Sequence, residues 1–551
     1  MDVLIVGAGP TGLALATQLQ RFGTSFRIID RLLDRKSESR ALAVQARTLE
    51  ILDTVGLADP LVSLGRTGTR VVVHLGERII AQAQLGDSGA SDTRYPFVLF
   101  VSQMETERLL DEHLSRAGIS VERGVELAGL TPNATSVHCL LRHHDGRTER
   151  VRPAYVVGCD GAHSSVRRMA DFSFAGGTYP QDFMLGDVEA DGPLTAGAVN
   201  AFAGAGGVAL FFPLGAPRSW RVIAMRTSRR RRQPHDEHAD DEAPASALTL
   251  EELQEVVAAP AQGTITVRDP AWLTHFRLHH RQTAQYRRGG VFVAGDAAHI
   301  HSPVGGQGMN TGIQDAWNLG WKLAVVARGA AHERLLETYE AERWPVGRFL
   351  LRYTDRIFSA FTRVMSGGRV ATWAREVIAP RLVPRVAGNG WLGPAVFRFV
   401  SELGIRYRGS LAVREGAPRL TRGPRAGDRL PDGRLTIGGS EVFLQREVAG
   451  ACFTLLLCTR GEPDPGAVGK ARELTARYNG LVALRVVSAG EREDVLADHE
   501  GAVLHALGVK STAQYLIRPD GYVAFRCRGW DMRELAAFLG EWLEPSRQRR
   551  A

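Results

Sequence analysis

The sequence predicts an α/β protein: an open, mostly parallel sheet of the nucleotide-binding type, split by an inserted mixed β-sheet and followed by a small C-terminal α/β domain. Three observations carry this. The chain opens on a β-α-β unit with Gly7, Gly9 and Gly12 spaced G-x-G-x-x-G between an apolar run and a helix. Two further apolar runs, "YVVGCDG" and "GGVFVAGDAAH", lie far downstream, and each stops at a glycine or acidic turn as the first does. Between them, over residues 175–285, strand-like text with little helix replaces the alternating pattern.

In chain order, "DVLIV" is a short apolar run bounded by glycine and reads as a buried parallel strand. Residues 11–21 read as a helix and "SFRIID" as the second strand. "FMLGDVEA", "VALFFPL" and "SWRVIAMR" are strands of the insert. "MNTGIQDAWNLGWKLAVVARG" is a helix with apolar residues at helical spacing, and helical text runs on from "LLETYEAERWPVGRFLLRYTDRIF" to residue 405. "RGPRAGDRLPDG" is a linker. After it come "FTLLLCT", a helical stretch, "GLVALRVV", the hairpin "AQYLIRPDGYVAFRC" and a last helix. The segments are therefore 1–174 and 286–405 for the discontinuous first domain, 175–285 for the insert and 406–551 for the C-terminal domain. No internal repeat is visible, and 551 residues are too many for one core.

Bulk properties narrow the function classes. Hydrophobic content of 44% and charged content of 23% are ordinary for a globular chain. No apolar run approaches the ~18 residues of a membrane span, and the N-terminus enters a strand without a basic leader, so a cytoplasmic protein with no membrane partner is expected. Cys139, Cys159, Cys452, Cys458 and Cys527 form no C-x-x-C pair, which fits reduced thiols better than a disulfide frame or a zinc site. The net charge of +8 comes from arginine spread along the chain. Its one dense cluster, Arg229 to Arg232, is followed at once by Asp236, Glu237, Asp240, Asp241 and Glu242. Opposite blocks side by side compensate each other, so no nucleic acid is expected as a partner.

Three motifs carry chemistry. In Gly7-Ala8-Gly9-Pro10-Thr11-Gly12, the first glycine suits a tight turn, the second a close backbone approach to a pyrophosphate and the third close helix–strand packing. The helix N-terminus adds amide donors and the positive end of a dipole. NAD, NADP and FAD all use such a loop. Asp30, with Arg31 beside it, closes the second strand 23 residues beyond Gly7; an acid there accepts from ribose hydroxyls and disfavours a 2′-phosphate. The second motif, "GCDGAHSSVRR", contains Asp160, Gly161, Ser164, Ser165, Val166 and Arg167. The third, "GDAAHIHSPVGGQGMNTGIQDA", contains Gly295, Asp296, Pro303, Gly305, Gly306, Gln307, Gly308, Met309 and Asn310. Its glycines allow backbone to lie against a flat ring, and the helix beginning near Met309 would aim amides at negative charge on that ring.

Taken in this order, the three motifs resemble those of the FAD-dependent aromatic hydroxylases, the single-component flavoprotein monooxygenases typified by para-hydroxybenzoate hydroxylase. The resemblance covers nearly the whole chain. It is greatest to the longer members with a C-terminal thioredoxin-like domain, the phenol hydroxylase-like and aromatic polyketide hydroxylases. It implies a discontinuous FAD-binding Rossmann-like domain, an inserted mixed β-sheet that binds substrate, and a thioredoxin-like end. It implies that Gly7, Gly9, Pro10, Thr11, Gly12, Asp30 and Arg31 hold the ADP half of FAD. Arg40 would lie near the pyrophosphate and Gln103 would line the cofactor. Asp160 would serve FAD and NAD(P)H together. Gly295 and Asp296 would hold the ribityl chain. Pro303, Gly305, Gly306, Gly308, Met309 and Asn310 would lie beside the isoalloxazine ring, with the first three as the reacting loop and no base assigned. The implied activity uses NADPH, or NADH, and O2 to hydroxylate a phenolic or polycyclic aromatic substrate through a flavin C4a-hydroperoxide. A homodimer is compatible with this reading, and no metal is expected.

Other readings stay open. A Baeyer–Villiger-type or antibiotic-inactivating monooxygenase shares the motifs, and so does a flavin-dependent dehydrogenase or a non-catalytic flavin protein. No second dinucleotide loop appears downstream; "AGAGG" at 203–207 does not join a strand to a helix. His299 and His301 flank the ring loop and read as packed, hydrogen-bonded neighbours, with a proton shuttle or a flavin attachment point as the rival. His275, His279 and His280 lack a carboxylate or cysteine to complete a metal set. Tyr179, Phe183, Phe211, Phe212, Pro213, Trp220 and Arg221 suit the walls of an aromatic pocket or the core of the sheet equally. Cys458 follows the first C-terminal strand without a partner two residues on, so no redox dithiol is expected.

Overall fold

The computed structural model describes the chain except residues 36–40, 68–69, 76, 85–88, 205–206, 215–217, 227–247, 303–304, 367–392, 479 and 546–551. The Arg229 to Arg232 cluster lies outside the described residues. In the first sheet, β1 (Val3–Val6) leads through α1 (Pro10–Arg21) to β2 (Phe26–Asp30). The later strands are β3 (Glu122–Arg123), β4 (Tyr155–Gly158), β5 (Arg287–Arg288) and β6 (Val291–Val293). Their order is β5-β6-β4-β1-β2-β3, parallel except at the β5–β6 edge. Strands distant in sequence thus become neighbours, and the turns that end β1, β4 and β6 share one carboxyl edge with Asp30. All four residues of β1 are buried, as expected of a central parallel strand covered on both faces.

Two helices complete this body, α2 (Gly308–Ala327) and α3 (Glu337–Ser366). α2 packs along α1. The approach is close because Thr11 fills the space left by two glycines: a Cβ built on Gly295 or on Gly312 would lie 2.5 Å from Thr11 Oγ1. Every residue of α2 from Met309 to Val325 is buried. The apolar spacing read from the sequence describes only part of this helix, because its polar residues are buried too. Asn310, Gln314, Asn318 and Lys322 recur every fourth residue, which on a helix is a single stripe.

The inserted sheet is larger than the strand text announced. Its eight strands run in the order His299–Ile300, Thr266–Thr283, Phe174–Asp191, Trp220–Arg226, Gly207–Pro213, Val199–Gly204, Arg70–Leu75, Arg78–Gln84. The last two come from a hairpin within the first 174 residues, and Arg70–Leu75 pairs in parallel with Val199–Gly204. Two strands of 18 residues connect this sheet to the first domain. The second of them ends against His299–Ile300, directly before the ring loop.

Alternation sorts the side chains of the sheet. Val188, Phe202, Phe211, Trp220 and Val222 form a core against helix Leu250–Ala258 on one face. The cross-strand sets Phe276–Phe183–Met225–Val208 and Leu185–Ile223–Leu210 face the other way. On that second face Ala201, Leu210, Phe212, Ile223 and Phe276 are only half-buried.

The C-terminal domain runs strand–helix–strand (Phe453–Thr459, Pro465–Ala476, Val482–Ser488), then hairpin and helix (Thr512–Ile517, Val523–Arg528, Arg533–Trp542). This is the thioredoxin-like layout. Cys458 is fully buried in its first strand, and burial pushes its thiol pKa up, which leaves no reactive thiolate there.

The domain is tied to the first through buried charge. Glu342 of α3 accepts from Arg518 at 2.6 and 2.8 Å, from Lys322 Nζ at 2.8 Å and from Ser410 Oγ at 2.7 Å. Arg518 also pairs with Asp520. Arg429 donates to Glu50 at 2.9 Å, and Arg47 to Glu50 and to the Asp520 carbonyl. Burial, opposed by Glu342, lowers the Lys322 pKa to about 8. Burial alone would raise the Glu342 carboxyl, but Arg518 and Lys322 outweigh it and hold it well below the usual range.

Removing one partner of such a pair leaves an uncompensated buried charge. Arg518→Ala is therefore expected to destabilise the protein by about 3–5 kcal/mol, seen as a lowered first unfolding transition in calorimetry. An unchanged transition would show that the network does not hold the domains together.

Candidate cofactor and substrate site

The site begins at the turn after β1. Gly7 has φ +102°, and a Cβ on it would stand 2.4 Å from the Cys159 carbonyl oxygen, so only glycine lets the two strand ends meet. A Cβ on Gly12 would overlap the Gly7 carbonyl, which fixes α1 against β1. Around Gly9, its chain neighbours apart, no atom of the described residues lies within 4 Å of the place a Cβ would take. The turn is therefore tight on its protein side and open on its outer side. Pro10 occupies the first helical position and no side chain caps the helix. The first amide bonded within the helix is that of Leu13, to the Gly9 carbonyl. The Thr11 and Gly12 amides lie in the turn where helices lack internal partners. Asp30 accepts from the Ala8 amide at 2.8 Å and the Leu32 amide at 2.9 Å, which sets its carboxylate beside the turn, while Arg31 is exposed.

The second motif follows β4. Asp160 Oδ2 accepts from the Ser165 amide at 2.7 Å, the Ser165 hydroxyl at 2.8 Å and the Val166 amide at 3.2 Å, at the start of helix Ser165–Met169, which Ser164 caps. Its Oδ1 is buried without a partner among the described residues. Arg167 donates to the Ala162 and Ala297 carbonyls and so bridges the second motif to the third. Burial, opposed mainly by Asp160, lowers its pKa to about 10.

The third motif follows β6. Asp296 is exposed at the strand end, while Gly295 beside it is buried. The Gly295 amide donates to Asp315 Oδ2 at 3.1 Å, His299 Nε2 lies 2.7 Å from the same oxygen, and Arg343 Nε donates to Asp315 Oδ1 at 2.6 Å. Burial alone would raise the Asp315 pKa, but Arg343 and His299 outweigh it and hold it below the usual range. Arg343 also donates to the Tyr407 hydroxyl and the Thr311 carbonyl. His301 is stacked on His299 with centroids 6.3 Å apart. Its Nδ1 sits 2.9 Å from the Ser302 carbonyl, and its buried Nε2 has no partner among the described residues. Burial, and then the neighbouring His299, lower the His301 pKa.

Pro303 lies outside the described residues, and so does Arg40. Gly305 and Gly306 enter α2 in the left-handed region, with φ +91° and +64°. Asn310 holds this loop from below. It donates to the Gly306 carbonyl at 2.8 Å and the Ala43 carbonyl at 2.9 Å, and accepts from the Gln45 amide at 2.8 Å. Gln45 Nε2 donates to the Gly305 carbonyl at 2.9 Å. Met309 is buried. Gln103 accepts from the Ala41 amide and donates to Glu107, so it fixes the segment carrying Ala41 and Ala43.

Arg221 connects this segment to the inserted sheet. It donates to both oxygens of Asp187, at 2.7 and 2.9 Å, and to the Ala41 carbonyl at 3.1 Å. The half-buried apolar face of the sheet therefore looks toward the ring loop. α3 closes another side, where the Tyr179 hydroxyl donates to Asp355 at 2.9 Å. Of the wall candidates picked from the sequence, Phe183, Phe212 and Arg221 belong to this face, and Phe211 and Trp220 to the core behind the sheet. His279 Nδ1 contacts Thr178 Oγ1 at 2.8 Å and His275 lies 3.5 Å from Glu252. Among the described residues no His/Cys/Asp/Glu group stands ready for a metal.

The residues that sequence reasoning missed are those beneath the loops: Gln45, Asp315, Arg343 and Glu402. Only Asp315 lies on α2, where the polar stripe Asn310, Gln314, Asn318 and Lys322 beside it was a signal; the other three stand outside that helix and carried none. Their partners come from segments too distant in sequence for any pattern to connect.

A tight glycine turn with an open outer side, an acid at the end of β2, an exposed acid after β6 and an uncapped helix behind a glycine loop fit an extended dinucleotide. The fold and this edge define a dinucleotide-binding α/β protein with a second, mixed sheet beside the first. Residues 1–354 match the FAD binding domain family, and residues 423–546 match the aromatic-ring hydroxylase C-terminal family. The chain belongs to the FAD-dependent aromatic-ring hydroxylases and is an FAD-dependent monooxygenase. It is 36% identical over 535 residues to 6-methylpretetramide 4-monooxygenase of Streptomyces rimosus, covering 95% of this chain and 90% of the relative. It is 33% identical to pentachlorophenol 4-monooxygenase of Sphingobium chlorophenolicum, covering 97% and 95%. The solved anhydrotetracycline hydroxylase of Streptomyces rimosus superposes with a TM-score of 0.75 at 28% identity over 99% of each chain. No described helix is long and apolar enough to cross a membrane.

Gly9→Val tests the open side of the first turn. The free protein has space for the side chain, so its unfolding temperature should stay within a degree or two, while FAD affinity should fall by tenfold or more, about 1.4 kcal/mol. Equilibrium dialysis showing unchanged affinity would remove this turn from the cofactor site.

Proposed function

We propose that this enzyme uses NAD(P)H and O2 to hydroxylate a phenolic, polycyclic aromatic compound, with FAD lying along the carboxyl edge of the first sheet. The observation that carries the substrate class is the half-buried apolar face formed by Ala201, Leu210, Phe212, Ile223 and Phe276, which looks toward the ring loop. A broad, flat surface of this kind suits fused rings. Two of the proteins above are named for 6-methylpretetramide and anhydrotetracycline, which supports a polycyclic substrate; the pentachlorophenol enzyme keeps a single ring within reach of the same architecture.

In this arrangement the turn at Gly7 to Gly12 and Asp30 would receive the ADP half, and Asp296 the ribityl hydroxyls. Gly305 to Asn310 would lie against the ring. When bound, FAD supplies electron carriage from NAD(P)H and the activation of O2. The protein's part is to place, to exclude water and to stabilise charge. The first-turn amides of α2, with no side-chain cap at Gln307, offer donors for negative charge on a reduced ring. Asn310 and Gln45 hold the loop in that form. Arg221, paired with Asp187 and bonded to the Ala41 carbonyl, keeps the substrate sheet at a set distance from the loop. The apolar face and α3 keep water from the space between.

Product made under ¹⁸O2 with NADPH and a panel of simple and fused-ring phenols should carry one labelled oxygen, with turnover greatest for a fused-ring phenol. NADPH consumption that yields an oxidised but unlabelled product would overturn the reading in favour of a dehydrogenase. Ile223→Asp should raise KM for that phenol by tenfold or more, about 1.4 kcal/mol of lost apolar contact, with FAD content unchanged. An unaltered KM would place the substrate elsewhere.

A further inference from the structure

Glu402 lies just after helix Gly393–Val400, outside every motif considered above. Three features set it apart. Its backbone is left-handed, with φ +61°, a conformation that favours glycine. Its side chain is nonetheless buried, with the residue 2% exposed. Both carboxyl oxygens meet side chains of α2: Thr311 Oγ1 lies 2.7 Å from Oε1, and Gln314 Nε2 donates to Oε2. Those two residues sit in the first two turns of the helix whose start forms the ring loop. The same segment is anchored on both sides, because the Arg47 amide donates to the Ser401 carbonyl and Gln307 Nε2 to the Phe399 carbonyl.

A carboxylate here would put a full negative charge under the positive end of α2 and oppose that end's attraction for anions. The surroundings resist this ionisation. Burial, set against hydrogen bonds from Thr311 and Gln314 and the cation of Arg343, raises the Glu402 pKa to about 8, with Asp315 adding to the rise. Arg343 of α3 is itself engaged by Asp315, which also faces His299, and by Tyr407. A proton on Oε1 is readily housed, since a threonine hydroxyl accepts as well as it donates.

We infer that Glu402 is a positioning residue that braces α2 as a neutral carboxylic acid, so that the helix keeps its full positive end for negative charge on the reduced flavin. The inference rests on the proposed placement of FAD beside the start of α2. It predicts a proton linkage. While Glu402 is neutral in both states, two electrons enter the flavin with one proton. Above the Glu402 pKa of the oxidised enzyme, negative charge on the reduced ring raises that pKa, so reduction draws in a second proton from solvent to Glu402.

Anaerobic dithionite titration of the holoenzyme against a reference dye, from about pH 6.5 to about pH 9.5, tests this. In the wild type the slope of midpoint potential against pH should double above about pH 8. Glu402→Gln keeps the shape without the proton and should hold the lower slope throughout. Glu402→Gly, which also suits the left-handed backbone, should do the same if the glutamine variant fails to fold. Equal slopes in wild type and variants, or a break that persists in the variants, would overturn the role of Glu402. Failure of the purified protein to retain FAD would instead overturn the cofactor placement on which it rests.

Discussion

The site depends on one buried negative charge, that of Asp315. It sits in the middle of α2, a helix enclosed on every side, where an unpaired carboxylate cannot be tolerated. Its two oxygens are shared among Arg343 from α3, His299 from the segment after β6 and the Gly295 amide. Satisfying that charge therefore fixes three pieces of chain at once. One of them is the turn that presents Asp296. The geometry of the cofactor edge is thus set from beneath, by a residue that does not belong to it.

The same logic extends along α2. Asn310 holds the ring loop and the Ala43 segment, Gln314 meets Glu402, Asn318 and Lys322 reach Glu342, and Glu342 reaches Arg518 of the C-terminal domain. A single polar stripe runs from the ring loop to the domain interface. Such a stripe contributes little net stability compared with an apolar helix of equal volume. It does specify one register, because a rotation or slip of α2 would strand several buried polar groups together. The described part of this loop, Gly305 to Asn310, is thus held in place by protein contacts alone.

Much of the first domain was legible in the sequence, for reasons that are local. The G-x-G-x-x-G turn with its strand, helix and terminal acid is a consequence of short-range sterics, and the structure has β1, α1 and β2 where those patterns stand. The start of α2 and the C-terminal strand–helix–strand–hairpin–helix order were legible for the same reason. The insert was less so. The hairpin at 70–84 joins it across more than a hundred residues, and no periodicity reports a partner that distant. Nor did aromatic content assign the pocket. Phe211 and Phe212 are adjacent and identical in kind, yet pleating sends one to the core behind the sheet and the other to the open face.

Local pattern was thus enough to establish the fold class and the order of the main elements, because each rests on contacts between residues close in sequence; FAD entered through the resemblance of the three motifs, taken in order, to a known family. Local pattern could not establish which polar residues are buried, nor which of them carry charge. Asp315, Arg343, Glu342 and Glu402 are ordinary surface types in the one-dimensional text. Their roles follow from desolvation and from partners contributed by other segments, and both arise only once the sheets, α2 and the C-terminal domain have packed around them.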